Sequence, residues 1–98
     1  MRLTDHEVAA IKAAAAQVFG PSAIVRLFGS RVDDSLDGGD VDLHVEVDSA
    51  PDANKRVWDL RRELWGQLTH DKVDVLISQR GGTPRGFERI AYRDGIVL

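Results

Sequence analysis

Hydrophobic and polar residues alternate most regularly between positions 40 and 48. Every second position is aliphatic, and the positions between them carry four acids and one histidine. The aliphatic residues are Val41, Leu43, Val45 and Val47, and the polar ones are Asp40, Asp42, His44, Glu46 and Asp48. Because side chains two apart on a strand point to the same side, this pattern predicts a β-strand with one aliphatic and one polar face.

The remainder of the chain predicts three helices, two more strands and a short extended tail. The first helix begins at a capping box of Thr4 and Glu7 and ends before Gly20-Pro21. In chain order the segments are a helix to about residue 18, a strand over 23–28, the strand over 40–48, a helix over 52–69, a strand over 72–78, a helix over 85–93 and the tail at 96–98. This order predicts an α/β (α+β) fold, a small mixed sheet with helices packed mainly on its aliphatic face.

Composition is that of an ordinary globular domain. The chain has 98 residues, 43% hydrophobic and 30% charged, so we expect one domain spanning residues 1–98. The net charge of −3 argues against direct nucleic-acid binding, and the absence of cysteine excludes thiolate metal sites. The sequence has no signal pattern, and no apolar run approaches the ~20 residues that span a bilayer. We therefore expect a cytoplasmic protein without a membrane partner. So small a domain has little room for an acceptor pocket, which favours action together with a partner chain.

Three aspartates are candidate metal ligands. Asp40 and Asp42 share one strand face, and Asp74 is the only acid inside the third predicted strand. Carboxylate oxygens suit hard cations such as Mg²⁺, and paired ions assist transfer at a nucleotide phosphate. The alternative is a simple solvated face, since antiparallel sheets often turn polar residues to water. However, a solvated face usually includes Thr, Lys, Arg or Ser, whereas these neighbouring acids repel one another without a counter-charge.

A Gly-Ser turn closes the strand that precedes these acids. Gly29 allows the backbone to approach a phosphate closely, and Ser30 supplies a hydroxyl and, if a short helix follows, an N-terminal amide. Gly-Ser pairs are common in loops, so the specific signal is the position, directly after one strand and ten residues before the first aspartate. Arg31 is a candidate phosphate contact, and the alternative is a surface arginine that pairs with Asp33 or Asp34.

Together these motifs resemble the signature of the polymerase-β-type nucleotidyltransferases. The resemblance rests on Gly29-Ser30, on Asp40-x-Asp42 and on the lone strand aspartate Asp74, and the short chain narrows it to the minimal nucleotidyltransferases (MNT proteins). The C-terminal pattern Phe87-x₄-Tyr92-x₂-Gly95-x-Val97 is also similar to theirs. One departure is Gly38-Gly39, where family members commonly have Ser or Thr just before the first aspartate.

The resemblance implies a Mg²⁺-dependent enzyme. It implies that Gly29 and Ser30 bind the triphosphate of ATP and that Asp40, Asp42 and Asp74 hold two Mg²⁺ ions. Arg31 follows the serine as it does in many relatives and remains a candidate phosphate contact. Several MNT proteins resemble antitoxins that transfer AMP from ATP to a tyrosine of an all-helical HEPN ribonuclease, so this protein adenylyltransferase activity is the expected function. A non-catalytic antitoxin that neutralises its partner by complex formation is the alternative, and an antibiotic-modifying transferase completed by dimerisation is the third possibility.

Overall fold

The computed structural model describes residues 3–29, 41–49, 51–68 and 73–98, which form three helices and a four-stranded mixed sheet. In chain order the elements are α1 (Asp5–Phe19), β1 (Ile24–Phe28), β2 (Val41–Val47), α2 (Ala53–Leu64), β3 (Val73–Gln79), α3 (Phe87–Asp94) and β4 (Ile96–Val97). This architecture confirms the predicted fold class. Within the described ranges, no helix is long and apolar enough to cross a membrane.

The start of α1 is fixed by the predicted capping box. The Thr4 hydroxyl accepts a hydrogen bond from the Glu7 backbone amide at 3.0 Å, and the Glu7 carboxylate accepts one from the Thr4 amide at 2.9 Å. Two amides that the first helical turn leaves without partners are thereby satisfied. At the other end the helix is followed by Gly20, whose φ of +99° favours glycine.

The sheet has the strand order β3-β2-β1-β4. β1 pairs antiparallel with β2, β2 pairs parallel with β3, and β4 adds to the outer side of β1 in antiparallel orientation. The parallel pair is possible because α2 crosses between its two strands. The predicted extended tail is therefore a short edge strand.

The hydrophobic core lies on the aliphatic face of the sheet. Helices α1 and α2 cover this face, and the aliphatic residues of β1 and β2 pack against them. The core consists of Ile11, Ala14, Ala15, Val25, Leu27, Val41, Leu43, Val45, Val47, Leu60 and Leu64. The alternation along β2 therefore correctly predicts which side of this strand faces the core.

Helix α2 ends earlier than the sequence predicts. The expected end was residue 69, but the helix stops at Leu64, with Trp65 at its C-cap in an extended conformation. Gly66 then adopts a φ of +79°, the left-handed region in which helices commonly terminate. This early end places the last turn of α2 next to the start of β3.

Helix α3 lies on the polar face of the sheet, opposite to α1 and α2. Its Glu88 accepts a hydrogen bond from Ser78 of β3 at 2.9 Å, and the guanidinium of Arg26 of β1 lies 4.7 Å from the ring centroid of Tyr92. Two helices on the aliphatic face and one on the polar face agree with the prediction of helices mainly on one side.

Candidate active site

Two of the predicted aspartates lie side by side at one end of the sheet. Asp42, the second residue of β2, is the register partner of Asp74, the second residue of β3. Register partners on neighbouring strands are ~4.8 Å apart and direct their side chains to the same face. Asp42 also pairs with Phe28 at the end of β1, so the carboxylates and Gly29, which follows Phe28, lie at the same end of the sheet.

Gly29 packs directly against the Asp42 carboxyl group. Its φ is +78°, and a Cβ atom placed on it would lie 3.1 Å from Asp42 Cγ and closer still to Oδ2. The position therefore requires glycine twice, once for its backbone conformation and once for the space beside the carboxylate. The turn after β1 and the aspartate of β2 are thus fitted to each other.

Arg61 of α2 reaches the same end of the sheet. Its Nε donates a hydrogen bond to the backbone oxygen of Val73 at 2.9 Å, and its Nη2 lies 3.8 Å from Asp74 Oδ1. Both side chains of this ion pair are about two-fifths exposed. Arg61 thus places a positive charge beside the outer member of the carboxylate pair.

The donor set fits a hard divalent cation. Carboxylates on neighbouring strands supply oxygen ligands from a rigid support, as Mg²⁺ prefers. No group of three or more His, Cys, Asp or Glu side chains that could hold a metal ion occurs among the described residues. The third predicted ligand, Asp40, and the predicted phosphate contacts Ser30 and Arg31 lie outside those residues.

The polar face continues from the carboxylates into an ion-pair network around Glu46. Glu46 accepts hydrogen bonds from Arg26 Nη1 at 2.9 Å and from Arg80 Nε at 2.8 Å, and only 8% of its surface is exposed. Arg80 also pairs with Asp48 and donates to the backbone oxygen of Ser22 at 2.8 Å. Burial alone raises the pKa of Glu46, but the hydrogen bonds from Arg80 and Arg26 outweigh it and hold that pKa below its ordinary value.

His44 occupies the buried centre of the polar face. Its Nε2 lies 2.8 Å from the Ser78 hydroxyl, which itself donates to Glu88, so the hydrogen-bond pattern assigns the ring proton to Nε2. The Tyr92 ring packs on it edge-on, with 4.7 Å between centroids. Burial is the larger cause that lowers the pKa of His44, and the positive charge of Arg26 lowers it further. The histidine is therefore neutral at pH 7 and belongs to the contacts that hold α3 on the sheet.

No family model and no curated protein matches this chain.

Sequence reasoning missed the cations of the site region. The positive charges that pair with Glu46 of β2 come from Arg26 and Arg80, and Arg26 does stand at an outward-facing position of its predicted strand. That position was a usable signal, because a strand beside an acidic one gains from a cation. Arg61 gave no such signal, since its contact with Asp74 depends on where α2 ends.

Replacing Gly29 by alanine should destabilise the protein more than replacing Gly66 by alanine. Both residues have almost the same positive φ, +78° and +79°, so both variants carry a backbone cost of about 1–2 kcal/mol. Only the Gly29 variant also forces a methyl group against Asp42, because nothing lies within 4 Å of a Cβ at Gly66. We expect an additional loss of about 1 kcal/mol, because the Asp42 side chain must move away from the methyl group, and urea denaturation measures it. Equal losses for the two variants would contradict the close packing of Gly29 on Asp42.

Proposed function

We propose that this protein is a Mg²⁺-dependent nucleotidyltransferase of the MNT type, which transfers AMP from ATP to a hydroxyl of a partner protein. The observation that carries the proposal is the pairing of Asp42 with Asp74 in register, with Gly29 packed against Asp42. A random acidic surface has no reason to combine paired carboxylates with a glycine turn fitted to one of them. The sequence motif that contains these residues supplies the second support.

Each residue of the site has a part in this reaction. Asp42 and Asp74, with Asp40 as the third acid of the motif, are the residues that would hold Mg²⁺. The bound ions would neutralise charge on the phosphates and stabilise the attacking and leaving oxygens. Gly29 lets the backbone lie directly beside the Asp42 carboxylate, and Ser30 and Arg31 follow it in the sequence as the phosphate contacts of the motif.

The transfer itself is an in-line displacement. The acceptor hydroxyl attacks the α-phosphorus, a new oxygen–phosphorus bond forms, and the bond to the leaving pyrophosphate breaks. In this proposal Asp74 would take the hydroxyl proton on a carboxylate oxygen, and its place on edge strand β3, at the outer side of the pair, supports that role. The partner that best fits the family resemblance is a HEPN-type toxin, in which the modified hydroxyl belongs to a tyrosine.

The position of the label in ATP tests this proposal. The chain is incubated with Mg²⁺, the protein encoded by the neighbouring gene and ATP labelled on either the α- or the γ-phosphate. We expect the partner to gain the α-label and the mass of one adenylyl group, to gain no γ-label, and to gain nothing when a chelator removes Mg²⁺. Transfer of the γ-label would show a kinase, and failure to transfer the α-label while the toxin is still neutralised would favour the non-catalytic antitoxin.

A further inference from the structure

One face of α2 combines exposed tryptophans with arginines. Trp58, Arg61 and Arg62 follow the spacing i, i+3 and i+4 and therefore share one side of α2, and Trp65 is the C-cap residue directly after the helix. Trp58 is 65% exposed and Trp65 87% exposed, although tryptophan is usually well buried. We call these four residues the basic–aromatic face. Exposed tryptophan and arginine in one patch are typical of binding surfaces.

Arg61 connects this face with the carboxylate pair. Its guanidinium lies 5.8 Å from the Trp58 ring centroid, and the same group lies 3.8 Å from Asp74 through Nη2. The hydrogen bond from Arg61 Nε to the Val73 backbone holds the side chain across the edge strand β3. A molecule that rests on Trp58 therefore meets the same guanidinium group that pairs with Asp74.

The order of the strands indicates which substrate meets this face. Across the sheet, Asp74 of edge strand β3 comes first, then Asp42 of β2, and then Gly29 at the end of β1. In the proposed reaction the leaving pyrophosphate lies on the side of the Gly29 turn. In-line displacement requires the attacking oxygen to approach from the opposite side, which is the side of Asp74 and β3.

We propose that the basic–aromatic face binds the acceptor, and that the acceptor is a polypeptide segment with carboxylates on both sides of its reactive hydroxyl. This inference rests on the proposed function, because it uses the direction of that displacement. Arg61 and Arg62 offer positive charge to the carboxylates, and Arg62 is 77% exposed while its ion pair with Asp59 is long at 3.7 Å. Trp58 and Trp65 offer flat apolar surface to the acceptor side chains that lie between its carboxylates.

A polypeptide suits this face better than a nucleic acid does. Binding to a nucleic-acid backbone depends on neutralising several phosphates, whereas this face has two arginines in a chain of net charge −3. A few exposed aromatic residues flanked by arginine are instead the usual composition of a protein-binding centre. An oligonucleotide therefore serves as the competing ligand in the test.

The two tryptophans of the face are the only ones in the chain, so tryptophan fluorescence, excited selectively over tyrosine, reports on this face alone. Three probes are titrated into the protein, namely a tyrosine peptide flanked by glutamates, the same peptide flanked by lysines, and single-stranded oligoadenylate. We expect the glutamate peptide to shift the tryptophan emission to the blue and to bind about fivefold tighter than the lysine peptide. No shift with the glutamate peptide, or equal binding of the oligoadenylate, overturns the proposal.

Substitutions separate the docking role from the chemistry. Arg62→Glu should weaken the glutamate peptide about fivefold, and Trp58→Ala should raise KM for the acceptor without changing KM for ATP. Phe87→Ala is the matched control, because Phe87 is an exposed aromatic residue, 71% exposed, at the start of α3. If the α-label is transferred and Trp58→Ala leaves the acceptor KM unchanged, the docking proposal alone fails. If the unaltered chain transfers no α-label to any acceptor, the proposed function fails.

Discussion

Replacing Asp42 by asparagine should lower the rate of nucleotidyl transfer by about a thousandfold, since a metal-held phosphate contributes several kcal/mol to transition-state stabilisation. Asp42 lies between Asp74 and Gly29, so its carboxylate is the central oxygen donor of the proposed site. An amide of the same shape keeps one oxygen but loses the negative charge that a divalent cation needs. The measurement is the initial rate of α-label transfer at saturating Mg²⁺ and ATP.

Asp48 provides the matched control for this experiment. It lies just after β2 and belongs to the same alternating series as Asp42, and its side chain is 66% exposed and paired with Arg80 at the opposite end of the strand. Asp48→Asn should therefore leave the rate within about twofold of the unaltered chain. Equal rates for Asp42→Asn and the unaltered chain would show that Asp42 is not a ligand of the proposed metal site.

The same experiment separates catalysis from complex formation. If Asp42→Asn loses transfer but still binds and neutralises the partner, the enzyme activity and the antitoxin effect are distinct properties of the chain. The variant is expected to fold, because Asp42 is at the solvent-facing end of the sheet and only partly buried. Thermal unfolding curves of the two variants and the unaltered chain verify this.

Much of the fold could be predicted from local patterns. The alternation from Val41 to Val47 predicts the strand and its core side, and the capping box of Thr4 and Glu7 predicts the start of α1. These signals are reliable because each depends on residues close together in the sequence. The end of α2 depended on the conformation of Gly66, and a glycine in a helical pattern is compatible with either continuation or termination.

The candidate site could be predicted only in part. The sequence predicts Asp74 as the partner of Asp42. Their exact register depends on how α2 crosses between β2 and β3, and the spacing of residues in the sequence does not determine that register. The polar face of β2 was predicted as polar and not as buried. Alternation cannot distinguish a face covered by water from one covered by a polar helix, and α3 covers the positions of His44 and Glu46.

The buried acids thus have a structural part separate from the proposed chemistry. The two ends of the polar face of β2 differ in composition, with Asp42 at the start and the arginine-bound Glu46 near the end. At the Glu46 end the carboxylate is held between Arg26 and Arg80, whereas at the other end Asp42 is only partly buried and the Asp74 side chain, which pairs with Arg61, is 41% exposed. Mutations at the two ends should therefore separate activity from stability.

Replacing Glu46 by alanine should lower the free energy of unfolding by about 3–4 kcal/mol, because it leaves two guanidinium groups without their shared carboxylate. The side chains of Glu46 and Arg26 are only 10% and 15% exposed, so most of the loss is expected at Arg26, whereas the more exposed Arg80 keeps its pair with Asp48. Since a domain of this size has about 5–15 kcal/mol of stability in total, the loss is large. Asp48→Ala removes the exposed carboxylate from the same Arg80 and should cost less than about 1 kcal/mol.

The pH dependence of stability gives an independent measure of the same network. The hydrogen bonds from Arg80 and Arg26 hold the pKa of Glu46 below its ordinary value of 4.5 despite burial, so the folded state binds this proton less readily than the unfolded state does. The stabilisation by Glu46 is therefore complete above the ordinary value and is lost as the pH falls through the lower value of the folded state. Glu46→Gln cannot titrate, so the stability difference between the unaltered chain and this variant should narrow as the medium is acidified below pH 4.5. Urea denaturation at successive pH values measures this difference in the free energy of unfolding. A difference that stays constant across that range would mean that the ionised form of Glu46 has no preferential stabilisation in the folded protein.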